Sequence, residues 1–169
     1  MESQLLTLVL EEIMQEAYFP CEWKVEWLEN NHFINLELQF MLANPEKRSI
    51  SDRFNASWNQ ELVPLQYQVF FYLKNRVKVQ NKNVLKAIPV DPIHGIKYGD
   101  VIAVVKYLKR LATAVRSRWQ DYYQTMQAGP FEIIWNDEDY LQVVQSLQDT
   151  YRYSDRDIYF PKSNVDQPN

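Results

Sequence analysis

The chain has 169 residues, 46% hydrophobic and 24% charged, with a net charge of -4 and one cysteine, Cys21. This length suits a single domain that buries roughly two thirds of its unfolded surface, and the lone cysteine excludes a disulfide framework, a CxxC pair and a thiolate-rich zinc site. The acidic balance, with a pI near 5.2, argues against a whole-surface nucleic-acid binder, and no apolar run approaches the ~18 residues of a membrane span. With Glu2, Glu11 and Glu12 and no basic leader at its start, the chain is expected to be cytoplasmic and to have no membrane contact.

Leu5, Leu6, Val9, Leu10, Ile13, Met14 and Ala17 follow helical spacing between a capping Ser3 and the stop at Pro20, which predicts a helix over 4–18. The stretch CEWKVEWLENNHFINLELQF then alternates with period two. With Asn30-Asn31 as a two-residue turn, Trp27 falls opposite Ile34, Val25 opposite Leu36 and Trp23 opposite Leu38. On the other face Lys24 meets Glu37 and Glu26 meets Asn35, so both faces agree on one register. Residues 43–64 show weak periodicity, with a short strand or turn expected near Arg53 to Trp58.

Leu65 to Leu73 reads as a strand with Leu65, Tyr67, Val69, Phe71 and Leu73 on one face and Phe70 and Tyr72 on the other,. Val84 to Val90 reads as an edge strand because Pro89 cannot donate to a ladder. From Tyr98 to Gln127 an apolar stripe through Val101, Val104, Val105, Leu108, Leu111, Ala112, Val115, Trp119, Tyr122 and Met126 marks a long core helix, ended by Gly129 and Pro130. Phe131 to Trp135 is expected as a short strand, followed by a helix capped at Asn136 or Asp137 and packed through Tyr140, Leu141, Val144 and Leu147. The expected fold is α+β, a mostly antiparallel sheet with helices on one face. One domain is expected over 1–161, with 162–169 as a frayed tail.

Three glycines, Gly95, Gly99 and Gly129, are too few for Gly-rich phosphate loops, and two histidines cannot build a multi-histidine metal site. No catalytic, cofactor or metal residue is assigned, and no cofactor is expected. Cys21 and His32 lie near opposite ends of the hairpin, roughly 26 Å apart at ~3.3 Å per residue, so they form no dyad. Cys21 shares the parity of Trp23 and reads as a small hydrophobe. Glu26 and Glu37 could imitate an acid-base pair, but Lys24 and Asn35 complete a solvated charge ladder around them. Asp137, Glu138 and Asp139 complement a helix dipole rather than bind a metal, and Asp91 and His94 belong to a turn.

Two surfaces remain. Lys106, Lys109, Arg110 and Arg116 cluster opposite the stripe of the long helix, with no acid between Lys106 and Arg118; the plain reading is a solvated face, the functional ones an acidic protein partner or nucleic acid. Phe33, Phe70 and Tyr72 have outward parity and could form an aromatic interaction patch, joined or covered by Tyr151, Tyr153, Tyr159 and Phe160.

The hairpin, IPVDPIHGI before the long helix, FEIIW before an acidic-capped helix and the ending YRYSDRDIYFP occur in an order that resembles a small uncharacterised family. It comprises cytosolic proteins of lactic acid bacteria and related Firmicutes and is classed as a domain of unknown function. The resemblance implies an α+β protein and supplies no activity or site. The residues favour a non-catalytic interaction protein, adaptor-like or chaperone-like, binding a protein partner or a second copy of itself. Nucleic-acid binding through the basic ridge comes next, and a carboxylate-dependent enzyme last.

Overall fold

A computed structural model describes residues 5–29, 32–51, 57–75 and 84–162. Helix α1 (Leu6–Ala17) buries Leu6, Val9, Leu10, Ile13 and Met14 and ends at Tyr18, whose left-handed φ of 53° breaks the hydrogen-bond ladder ahead of Pro20,. Strands β1 (Glu22–Leu28), β2 (Phe33–Ala43) and β5 (Leu62–Leu73) run antiparallel to one another. The β1–β2 register is the expected one, with Trp27↔Ile34, Val25↔Leu36, Trp23↔Leu38, Lys24↔Glu37 and Glu26↔Asn35. At the connection the ladder ends at Leu28↔Phe33, His32 takes a left-handed φ of 55° and its N–H donates to the Glu29 carbonyl at 3.3 Å; Asn30 and Asn31 lie outside the described residues.

Strand β6 (Lys86–Val90) closes the four-stranded sheet β1-β2-β5-β6 as an edge strand, as Pro89 requires,. It pairs parallel to β5, the one parallel pairing in this sheet. Two small ladders are separate from it: β3 (Ile50–Ser51) with β4 (Ser57–Trp58), and β7 (Ile96–Lys97) with β8 (Asp157–Ile158). The strand expected near Arg53 to Trp58 is thus present at its end, and residues 52–56 lie outside the described set.

Helix α2 (Tyr98–Gln124) lies on the helical side of the sheet and buries Val101, Val104, Val105, Leu108, Ala112, Val115, Trp119 and Tyr122. It stops earlier than its stripe implied, because Met126 adopts φ 53° and turns out to 71% exposure. The segment from Phe131 to Trp135 is not the strand its alternation predicts. Its alternation is real, with Phe131, Ile133 and Trp135 buried, yet it joins no sheet. Its rings pack instead on α2: Phe131 on Trp119 and Tyr122, Trp135 on Tyr107. Asn136 then caps α3 (Asp137–Asp149) by accepting from the Asp139 N–H at 3.0 Å. Leu141, expected in the core, is 59% exposed, and Val143 with Leu147 takes the inward face.

Neither helix start has a side-chain cap: Leu5 precedes α1 and Lys97 precedes α2. The C-terminal segment supplies the missing acceptors. The Tyr159 carbonyl accepts from Leu6 N, Arg156 from Tyr98 N and Ser154 from Gly99 N, at 2.9, 2.8 and 2.8 Å,. Ser3 lies outside the described residues. Through these carbonyls the segment lies against the starts of α1 and α2.

Candidate functional site

Along α2 the buried stripe faces the sheet, which leaves Lys106 and Arg110 exposed on the opposite side, with Lys109, half-buried, and Arg116, exposed, toward its flank. Ten residues separate Lys106 from Arg116, so the ridge extends about 15 Å at 1.5 Å per residue. The sequence brings these four together and the helix keeps them together. Elsewhere cations find acids: Lys86 meets Asp137 at 2.8 Å, Lys97 meets Asp157 at 2.7 Å, and Arg48 meets Glu46 at 2.6 Å while lying over the Tyr123 ring. Among the described residues, no carboxylate lies within ion-pair distance of the four ridge cations.

The second surface lies on the sheet face away from the helices. Phe33 stacks on Phe70 with ring centroids 4.7 Å apart, and Tyr72 sits across the ladder from Phe33. All three are half-buried, so they are contiguous but cover one another in part. Beside them Asn35 is 5% exposed, and its Oδ1 accepts no hydrogen bond. The other half of this face is polar: Lys24 lies 3.4 Å from Glu37 and 3.9 Å from Glu26. A shared ammonium holds these carboxylates as a charge ladder, not as an acid-base pair.

The remaining sequence candidates resolve into structural roles. The Asp91 carboxylate accepts from Ile93 N and His94 N, both at 2.8 Å, and these donors hold its pKa below the ordinary value,. Asp137 is held down chiefly by Lys86 and also accepts from the Trp135 indole. Burial pushes the Cys21 thiol up to about 11, away from the thiolate range of a nucleophile. Among the described residues no group of three His, Cys, Asp or Glu side chains could hold a metal ion, and no helix is long and apolar enough to cross a membrane.

One feature escaped sequence reasoning. A groove of about 440 Å³ lies between the lead-in to β1, Phe19 to Glu22, and residues Gln39 to Leu42 of β2, with Arg116 on its wall. It exists because β2 is four residues longer than its ladder with β1, which begins at Glu22↔Gln39. The available signal was Pro20, which cannot extend that ladder.

The fold defines an α+β protein, a mostly antiparallel sheet with helices on one face. The chain belongs to the family described as Protein of unknown function (DUF3013), whose model matches residues 1–162. It is similar in fold to a solved structure described as a conserved protein of unknown function from Enterococcus faecalis, with a TM-score of 0.83 at 21% identity. That match covers 96% of this chain and 98% of the other. Among curated proteins, none matches.

Proposed function

We propose that this is a non-catalytic interaction protein of the bacterial cytosol, adaptor-like or chaperone-like, that engages an acidic protein partner through Lys106, Lys109, Arg110 and Arg116. The observation that carries the reading is that four cations on one helix face go without ion-pair partners among the described residues of a chain whose net charge is -4. In such a chain a free cationic ridge supplies electrostatic complementarity, which favours fast and selective association. The aromatic patch supports a protein contact less strongly, because Phe33 and Phe70 already satisfy each other by stacking. The carboxylates with shifted titration, Asp91 and Asp137, are moved downward, opposite to the upward shift of a general acid working near neutrality.

Affinity capture from native cytosol, with and without nuclease, tests this by comparing the wild type with a variant carrying Lys106→Glu, Lys109→Glu, Arg110→Glu and Arg116→Glu. The expected result is a nuclease-resistant acidic protein that the variant does not retain. Recovery of nucleic acid that disappears in the variant, with a steep loss on adding salt, would move the ridge to the nucleic-acid reading. A partner held equally by both proteins would remove the ridge from the account.

A further inference from the structure

Strand β2 outruns β1, and the edge this leaves open lies beside Arg116. Hydrogen bonds from Asn44 N to the Glu61 carbonyl and from Leu73 N to the His32 carbonyl direct the even residues of β2 toward β5. The odd residues therefore direct their backbone groups to the β1 side. At Ala43 the carbonyl on that side accepts from the Trp119 indole at 2.9 Å. At Met41 the ladder offers its carbonyl no donor: continuing the register sets Pro20 opposite, and proline has no N–H,. Met41 is 54% exposed and lines the groove.

The groove runs beside a strand whose side chains alternate. Phe40 and Leu42 are buried toward the helices while Met41 has the opposite parity. Arg116 is its cation and Glu22, at the start of β1, its anion; the two form no ion pair. Arg116 also ends the ridge that includes Lys109, two helical turns away. We propose, resting on the reading of this ridge as a contact for an acidic protein, that an extended acidic segment of that partner occupies the groove. The segment adds as a short strand against Met41 and sets a carboxylate on Arg116. Strand addition draws affinity from main-chain bonds and specificity from alternate side chains, and the guanidinium fork matches a carboxylate at two points. Glu22 disfavours a second acid at the other end, which sets the acidic end of the segment toward Arg116.

The test is titration of the nitrogen-15-labelled full chain with an end-blocked nonapeptide that alternates valine with glutamate in one half and with threonine in the other, followed by amide shifts. Controls replace glutamate by glutamine or lysine, or methylate the central peptide nitrogen. Shifts should centre on Met41 and its neighbours in β2, and binding should weaken at least about tenfold with the glutamine peptide, with the methylated peptide and with Arg116→Gln. Arg116 is exposed, so its substitution leaves the core intact. No shift at millimolar peptide, shifts elsewhere, or indifference to methylation would overturn the proposal. So would the same Met41 shifts produced by a single-stranded oligonucleotide or by self-association. A triple variant, Lys106→Glu, Lys109→Glu and Arg110→Glu with Arg116 retained, separates this failure from failure of the ridge. Loss of an acidic partner from the triple variant without peptide shifts at Met41 refutes strand addition alone, whereas retention of that partner refutes the ridge.

Discussion

At Gly99 an added Cβ would lie 2.3 Å from the Tyr153 ring, so a single methyl group must displace the aromatic side chain that bonds the Asp100 carboxylate at 2.9 Å. Gly99→Ala is expected to destabilise by about 1–3 kcal/mol, as overpacking does. In a Tyr153→Ala background the penalty should shrink, and a double-mutant cycle by chemical denaturation measures the difference. Asn35 poses the opposite problem, a buried oxygen without a donor. Asn35→Leu should leave stability unchanged or raise it by up to ~1 kcal/mol, because removing an unsatisfied polar group also removes its desolvation cost. Asn35→Asp, which buries a charge near Glu26 and Glu37, should lower stability by about 2–4 kcal/mol in the same measurement. The raised Cys21 pKa makes a kinetic prediction. With a folded value of about 11 against 9.0 unperturbed, the thiol stays protonated across neutral pH. Alkylation of the native protein should therefore climb about tenfold per pH unit through pH 8–10; a plateau at pH 9 would contradict the burial. Of these three environments the chain foretold that of Cys21, read as a small hydrophobe from its parity with Trp23, but not those of Gly99 and Asn35. Parity placed Cys21 and Asn35 on their faces, but burial depends on what lies across the ladder.

Among the elements, the hairpin was legible down to its register because two independent faces, Trp-Val-Trp against Leu-Leu-Ile and Lys24 against Glu37, agree on one pairing,. The segment from Phe131 to Trp135 was misread for a physical reason. Period-two burial marks any extended chain with one face covered, and the covering surface here is α2. The end of α2 was also hidden, since Met126 fits helical spacing and only its left-handed φ shows the break. The C-terminal segment holds the largest element-scale consequence. It caps α1 and α2 through three carbonyls and buries Ile158 and Phe160, functions that no motif announced. Deleting residues 153–162 should cost on the order of 5 kcal/mol from lost burial and caps, most of the stability of an ordinary domain. Thermal unfolding followed by circular dichroism should show a broad transition or none; an unchanged midpoint would mean the helices need no such caps.

At the scale of the whole molecule, the sheet presents one face to the helices and leaves the other half polar and half aromatic, while α2 turns its cations outward. The sequence alone placed those cations on one helical face by their spacing. It could not show that they lack carboxylate partners among the described residues, which depends on where the acids fall in space. Still less could it show the groove, which depends on unequal strand lengths. If the ridge is a protein contact, it must be the place where a partner lies. Thr113 is exposed among Lys109, Arg110 and Arg116 and donates its hydroxyl to the Lys109 carbonyl, so a photo-reactive residue there probes the ridge without removing a charge. Irradiation in native cytosol, with an equivalent probe at Gln68 on the outer sheet face for comparison, should yield a protein adduct at position 113 that maps to an acidic segment. An adduct to nucleic acid at position 113, or a protein adduct formed only at position 68, would contradict the account.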